Sequence, residues 1–154
     1  MEMPKPNEHH QQLARLAGLW QGTETMYPSH WDPNGGTAQG TTRARVDLAG
    51  FVVITDYEQR RDGEVTFQGH GVYTVDPKAN QVLLHWFDSV GQGIETFRGG
   101  WNGNTLTLQS ESPMGHARLT YDYSKAGELK SAMDLSRDGT KWSRLFDGAY
   151  RRND

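Results

Sequence analysis

The chain has 154 residues, and 16 Lys and Arg against 19 Asp and Glu leave a net charge of −3. At this length one domain with a real core is the default, and a mildly negative balance argues against nucleic acid, which needs a basic face. The absence of cysteine removes disulfides, thiolate metal sites, Fe–S clusters and thiol nucleophiles. No run approaches the ~18 apolar residues of a membrane span. The start, Met1-Glu2-Met3-Pro4-Lys5-Pro6, has no apolar signal core, so a soluble, cytoplasmic protein is expected. With 18 Gly among 5 Trp, 6 Tyr and 5 Phe, the composition suits many short strands joined by tight turns.

Residues 1–6, with two prolines, are expected to be a flexible arm. Asn7 to Ala17 is the one helical stretch: Asn7 can cap it, Glu8 favours its first turn, Leu13, Leu16 and Ala17 recur at helical spacing, and Gly18 ends it. Ten strands follow, at Leu19–Ser29, Thr37–Leu48, Phe51–Arg60, Glu64–Val75, Gln81–Asp88, Gly93–Gly99, Thr105–Glu111, His116–Ser124, Glu128–Arg137 and Lys141–Arg151. Asp62-Gly63, Asn102-Gly103 and Asp138-Gly139 read as two-residue hairpin turns. The longest connection is His30–Gly36. Every connection is too short for a parallel crossover, so the sheet is an antiparallel meander. Ten meandering strands leave open edges unless the sheet closes. The expected fold is all-β: a closed, ten-stranded, antiparallel up-and-down barrel with a short N-terminal helix. A flattened two-sheet sandwich is the alternative.

Gly18-Leu19-Trp20-Gln21-Gly22, following a short helix, resembles the opening of the calycin superfamily, which includes lipocalins and fatty-acid-binding proteins. There the tryptophan packs across one barrel end and a basic residue late in the last strand covers it. Trp20 would take the first role and Arg151 or Arg152 the second. A longer set of matches is Gly69-His70-Gly71-Val72-Tyr73-x-x-Asp76, Trp86-Phe87-Asp88-Ser89, Gly99-Gly100-Trp101, Asp138-Gly139-x-x-Trp142 and Tyr150-Arg151. These resemble the bacterial family catalogued as domain of unknown function 1579. The resemblance runs from Leu13 to Arg152 and implies a single calycin-like barrel over residues 7–154, with no established activity. Gly18-x-Trp20-x-Gly22 with Tyr27-Pro28 is also similar to the first strand of nitrobindin-like barrels, which hold haem through a histidine in the last strand. Residues 144–152 contain no histidine, so this likeness carries the fold and not the haem. No cofactor is expected.

The fourth and fifth strands are the richest in candidates. A four-residue loop puts Gly71 opposite Trp86 and Gly69 opposite Asp88, with His70 and His85 on the other face. A one-residue shift puts His70 beside Trp86 instead, and the sequence leaves both registers open. Asp88 reads either as a carboxylate at the barrel mouth, working with His70 as acid and base, or as a turn-starting Asp. Glu95 is the nearby second carboxylate. His70 and His85 with Asp88 or Glu95 are the one set that adjacency could assemble around a metal, but no metal spacing links them, so none is expected. His9 and His10 fall on the helix and His116 on the eighth strand. Trp31 is either a flap over a cavity or a cap on the barrel end. Tyr57 alternates with Phe51 and Val53 and can offer its hydroxyl inward. Arg144 is either a buried cation needing an anion such as Asp88 or Glu24, or a surface charge.

The expected function is binding of a small, largely apolar or amphipathic molecule in the barrel cavity. Trp31, Tyr57, His70, Trp86 and Asp88 are the candidate ligand-binding residues. One alternative is an enzyme in the same cavity with His70 and Asp88 as its catalytic pair. A further one is a haem barrel using a different histidine, and a filled barrel with no ligand is also open. A homodimer through outward aromatics is a further expectation.

Overall fold

The computed structural model describes residues 2–153. Its helix α1 spans Glu8–Leu13 and continues as a 3-10 turn, Ala14–Leu16. Asn7 caps it: its side-chain oxygen accepts from the backbone of His9 and His10, and His10 Nδ1 accepts from Asn7 N at 3.0 Å. The strands are β1 Gly18–Met26, β2 Gly36–Asp47, β3 Val52–Arg61, β4 Glu64–Asp76, β5 Gln81–Asp88, β6 Glu95–Asn102, β7 Thr105–Ser112, β8 Gly115–Asp122, β9 Glu128–Ser136 and β10 Ser143–Arg152. Each pairs antiparallel with its neighbours in sequence, and β1 pairs with β10, so the barrel is closed. Closure satisfies both edges of what would otherwise be an open sheet. Met1, part of the expected arm, lies outside the described residues. Pro6 lies against Gly50.

Alternation along the strands sets the inner face. On β5, Val82 and Leu84 are buried while Phe87 is exposed. The register of β4 on β5 is the first of the two expected: Gly71 faces Trp86, Gly69 faces Asp88, and His70 faces Phe87. Asp62 (φ 51°) and Gly63 (φ 81°) form the hairpin turn their sequence calls for. The turn expected at Asn102-Gly103 sits one residue later: Asn102 pairs with Thr105, leaving Gly103 and Asn104 between them. Asp138-Gly139 is not a two-residue turn. Asp138 Oδ1 accepts from Thr140 N at 2.8 Å and Lys141 N at 2.9 Å, which holds a longer loop before β10 starts at Ser143.

The two barrel ends differ. The helix sits over one end, where Gln12 donates to Gly103 O and Arg15 to Asn104 and to Tyr123 O. Leu13 and Leu16 are buried there with Trp20, Val75, Val82 and Leu106. Trp20 Nε1 donates to Leu16 O at 2.8 Å, and the Arg152 guanidinium stacks 5.2 Å from the Trp20 ring centroid. The tryptophan and basic residue therefore occupy the roles the resemblance implied, with Arg152 the one that covers Trp20. At the other end the β1–β2, β3–β4, β5–β6, β7–β8 and β9–β10 connections form a helix-free mouth.

Candidate functional site

Glu24 is the most unusual interior residue. It follows Trp20 and Gly22 on the inner face of β1 and has 0% of its surface exposed. Burying a carboxylate costs several kcal/mol unless hydrogen bonds replace its water. Here they do. Tyr57 on β3 places its hydroxyl 2.7 Å from both carboxylate oxygens. Gln59, two residues on, donates from Nε2 to Glu24 Oε1 at 3.2 Å. Tyr150 on β10 donates to Oε2, and Ser131 on β9 donates to the Tyr150 hydroxyl at 3.4 Å. Among the described residues, no Lys, Arg or His side chain lies within 4 Å of this carboxylate.

Glycines make the space. A Cβ on Gly40 would fall 2.5 Å from Glu24 Oε2, and one on Gly148 would fall 2.3 Å from the Tyr150 hydroxyl. Burial first, then the charge of Glu24 and the hydrogen bonds to it, push the Tyr57 and Tyr150 phenols far above their ordinary range. Both hydroxyls therefore keep their protons and act as donors.

A second polar group lies across the interior toward the mouth. Trp86 Nε1 donates to Asp88 Oδ2 at 2.9 Å, and Asp88 Oδ1 accepts from Val90 N at 3.0 Å. Asp88 thus combines both roles weighed from sequence, since it starts the turn and also holds the indole. A Cβ on Gly69 would fall 2.1 Å from the Trp86 ring, so the glycine makes the indole's place. Glu95 is paired with Trp86 on the same face and accepts from Ser110 Oγ at 3.4 Å. Partial burial raises its carboxyl pKa, the Ser110 hydrogen bond opposes that, and the Asp88 charge adds to it. The Tyr57 ring joins the two groups, 6.3 Å from Trp86 and 6.1 Å from Phe67 between centroids.

Deeper in, Tyr73 and Tyr121 share one hydrogen bond at 3.0 Å. Tyr123 Oη and Trp101 Nε1 are buried and have no partner.

Of the sequence candidates, Tyr57, Trp86 and Asp88 come together inside the barrel. His70 does not. Its side chain is 73% exposed on the outer face, with Nδ1 2.7 Å from Asp56. Strand alternation sends it away from Asp88, so the expected His70–Asp88 catalytic pair is not assembled. His85 also faces out, 3.1 Å from Thr96 Oγ1. Trp31 stands in the β1–β2 loop with its ring against His30, and it is 70% exposed. Arg144 is the surface charge of its two readings, held by Asp134 at 2.7 Å and Asp147 at 3.1 Å. Among the described residues, no group of three or more His, Asp or Glu side chains could hold a metal ion.

Gln59 and Tyr150 are site residues that sequence reading passed over, and Glu24 entered it only as a possible anion for Arg144, which pairs with Asp134 and Asp147 instead. Two-residue alternation from Trp20 reaches Glu24, and alternation from Tyr57 reaches Gln59, so the signal was present. Two surface depressions, of about 440 and 420 Å³, flank the helix outside the barrel. The first is lined mainly by apolar groups. The second is bordered by Arg15 and Arg152, whose contacts already anchor the helix. Neither has convergent, buried polar groups like those around Glu24, so the barrel interior is the stronger candidate.

A family model described as "Protein of unknown function (DUF1579)" matches residues 5–152. No curated protein matches. Among solved structures, Rv2717c from M. tuberculosis is similar with a TM-score of 0.73 at 16% identity, over 96% of this chain and 99% of that one. The S-type phycobiliprotein lyase CPES from Guillardia theta is similar with a TM-score of 0.60 at 10% identity, over 97% of this chain and 99% of that one. At these identities the likeness establishes the fold.

Proposed function

The chain belongs to the DUF1579 family, and within that family we propose that it binds a small, largely apolar molecule inside the barrel. The observation that carries this reading is the fully buried Glu24 carboxylate with its side-chain donors Tyr57, Gln59 and Tyr150. A core that only needed to be filled would be more stable with apolar side chains at these positions. A polar group fixed in an otherwise apolar interior is how binding sites orient a ligand. Tyr57, Phe67 and Trp86 supply the apolar wall, and Asp88 fixes the indole. Trp31, on the loop beside the mouth, serves as the flap. The barrel likeness to a phycobiliprotein lyase is compatible with a ligand-holding interior.

The test is native mass spectrometry of freshly purified protein, together with Nile red titration of protein stripped by unfolding and refolding. We expect extra mass that is lost on denaturation, and saturable one-site binding of Nile red that weakens about tenfold in Trp86→Ala. Bare sequence mass together with no saturable dye binding would overturn the reading.

A further inference from the structure

The hydrogen-bonded ladder around the barrel has a break beside the Trp86 wall. β6 pairs with β7 from Asn102↔Thr105 as far as Arg98↔Gln109, and there the pairing stops. Both strands continue toward the mouth, β6 back to Glu95 and β7 on to Ser112. The same register, continued, would set Phe97 against Ser110, Thr96 against Glu111 and Glu95 against Ser112. None of those three pairs forms. Each strand keeps only its other neighbour. Glu95, Thr96 and Phe97 stay paired with Trp86, His85 and Leu84 on β5, and Ser110, Glu111 and Ser112 with Ala117, His116 and Gly115 on β8. The β3–β4 and β7–β8 ladders, by contrast, stay paired up to their turns at this end, at Arg61↔Glu64 and Ser112↔Gly115.

The residues around the break suit an opening. Among the described residues, one side-chain bond crosses it, from Ser110 Oγ to Glu95 Oε1 at 3.4 Å. That length is long for a hydroxyl donor, and with the ladder bonds absent, parting the strands here breaks little else. The lips are apolar. Val90 and Ile94, on the loop before β6, are 62% and 57% exposed, and Met114, on the turn after β7, is 88% exposed. From Ser89 to Ile94 the loop holds no charged side chain, and Gly91 and Gly93 have φ of 78° and 84°, so it can bend with the end of β6. Behind the break stands the Trp86 wall, since Trp86 is the cross-strand partner of Glu95. Phe97, the next inward residue of β6, is 1% exposed and stops the gap from running deeper.

We propose that the ligand enters and leaves through the side of the barrel, between β6 and β7 at the mouth. The end of the β5–β6 hairpin is the gate and the Ser110–Glu95 bond is its latch. This rests on the ligand-binding reading and adds the route to it. An apolar molecule needs an apolar threshold, and Val90, Ile94 and Met114 supply one at the break. The hairpin end bends away from β7 as a unit, because the Trp86↔Glu95 pairing stays intact. In the strand order around the barrel, the β1–β2 seam lies directly opposite. That side is tied: Arg61 on β3 holds Asp32 of the β1–β2 loop at 2.7 Å, which keeps the Trp31 flap in place while the β6–β7 side opens. The far end offers no passage, because the helix lies over it with Leu13 and Leu16 buried.

The test locks the break shut. The chain has no cysteine, so Thr96→Cys with Glu111→Cys introduces one thiol pair, across the gap and on the outward face. A disulfide there draws β6 and β7 to the spacing of a paired ladder. Glu58→Cys with Gln68→Cys, across the continuous β3–β4 ladder, is the control lock. Stopped-flow fluorescence of Nile red gives association and dissociation rates for each stripped protein, oxidised and reduced. Oxidation of the β6–β7 pair should slow both rates at least about tenfold and leave Kd within about threefold, because a gate changes the path and not the end states. Reduction should restore both rates, and the control lock should shift neither by more than about twofold. Unchanged rates in the oxidised β6–β7 pair overturn the proposal, as does equal slowing by both locks, or a weaker Kd with association unslowed. In each of those cases, Nile red binding leaves the ligand-binding reading standing. If the wild type does not bind Nile red, that reading falls and the proposal falls with it. If the β6–β7 pair does not fold or oxidise, hydrogen exchange of the wild-type chain decides. Residues 95–97 and 110–112 should then exchange at least about tenfold faster than residues 57–59 and 67–69 of the β3–β4 ladder, and equal protection overturns the proposal.

Discussion

Gly69 shows how a residue without a side chain shapes the site. A methyl group there would fall 2.1 Å from one Trp86 ring carbon and 2.3 Å from another, and the indole cannot retreat without losing its 2.9 Å bond to Asp88. Gly69→Ala should therefore cost about 1–3 kcal/mol, the usual range for overpacking. Gly100→Ala is the matched control. Gly100 is also a strand glycine, but a methyl there meets nothing within 4 Å, so its effect should stay within about 0.5 kcal/mol. Urea denaturation measures both, and equal effects would mean that Trp86 is not held where described. The sequence made Gly69 and Trp86 legible because a Gly opposite a large aromatic on paired strands has a direct steric meaning. It made Glu24 far less legible. An acidic residue on a strand is ordinarily solvated, and only the closed barrel, bringing Tyr57 from β3 and Tyr150 from β10 to β1, reveals why this one is buried. His70 misled for the opposite reason. Its place in Gly69-His70-Gly71 drew attention, yet the register that seats Trp86 inside turns His70 out.

At the scale of elements, the helix is six residues long before its 3-10 turn, too short to hold by propensity. Packing holds it. Leu13 is 1% exposed and Leu16 5%, and Arg152 reaches the carbonyl of Ala17 at 2.6 Å. Leu13→Ala should cost about 2–5 kcal/mol, as buried leucine truncations do. Because the helix closes only one end, the loss should appear as earlier chemical unfolding of the whole chain, read by tryptophan fluorescence. A separate early transition of the helix alone would show that it docks independently of the barrel. The sequence carried the Asn7 cap, the Asp62-Gly63 turn and all ten strands, whereas the returning His10 contact to the cap backbone emerged only in the structure. It missed the β9–β10 connection because Asp138-Gly139 has hairpin chemistry. In the fold Asp138 instead gathers backbone amides from Thr140 and Lys141 into a longer loop, and those bonds lower its pKa.

At the scale of the molecule, closure creates an interior that a flat sheet would not have, and it places tyrosines from β3, β4, β8 and β10 inside it together. Burial, the largest cause in each case, raises the pKa of Tyr57, Tyr73, Tyr121, Tyr123 and Tyr150 from the ordinary 10.0. The sign of the pH dependence follows. Above pH 10 the unfolded chain releases these phenolic protons while the native barrel keeps them, so the native state binds more protons and stability falls as pH rises. Below pH 10 both states are protonated and the full contribution is present. Each retained proton costs about 1.4 kcal/mol of stability per pH unit above the unfolded value, and several act at once, so the loss should be steep. Phenolate absorbance near 295 nm and far-ultraviolet circular dichroism, followed together through rising pH, test this. The buried phenols should ionise in one step that coincides with loss of the barrel signal. Smooth ionisation near pH 10 with the sheet intact would mean that water reaches these hydroxyls, and that Glu24 is hydrated instead of sealed in the interior.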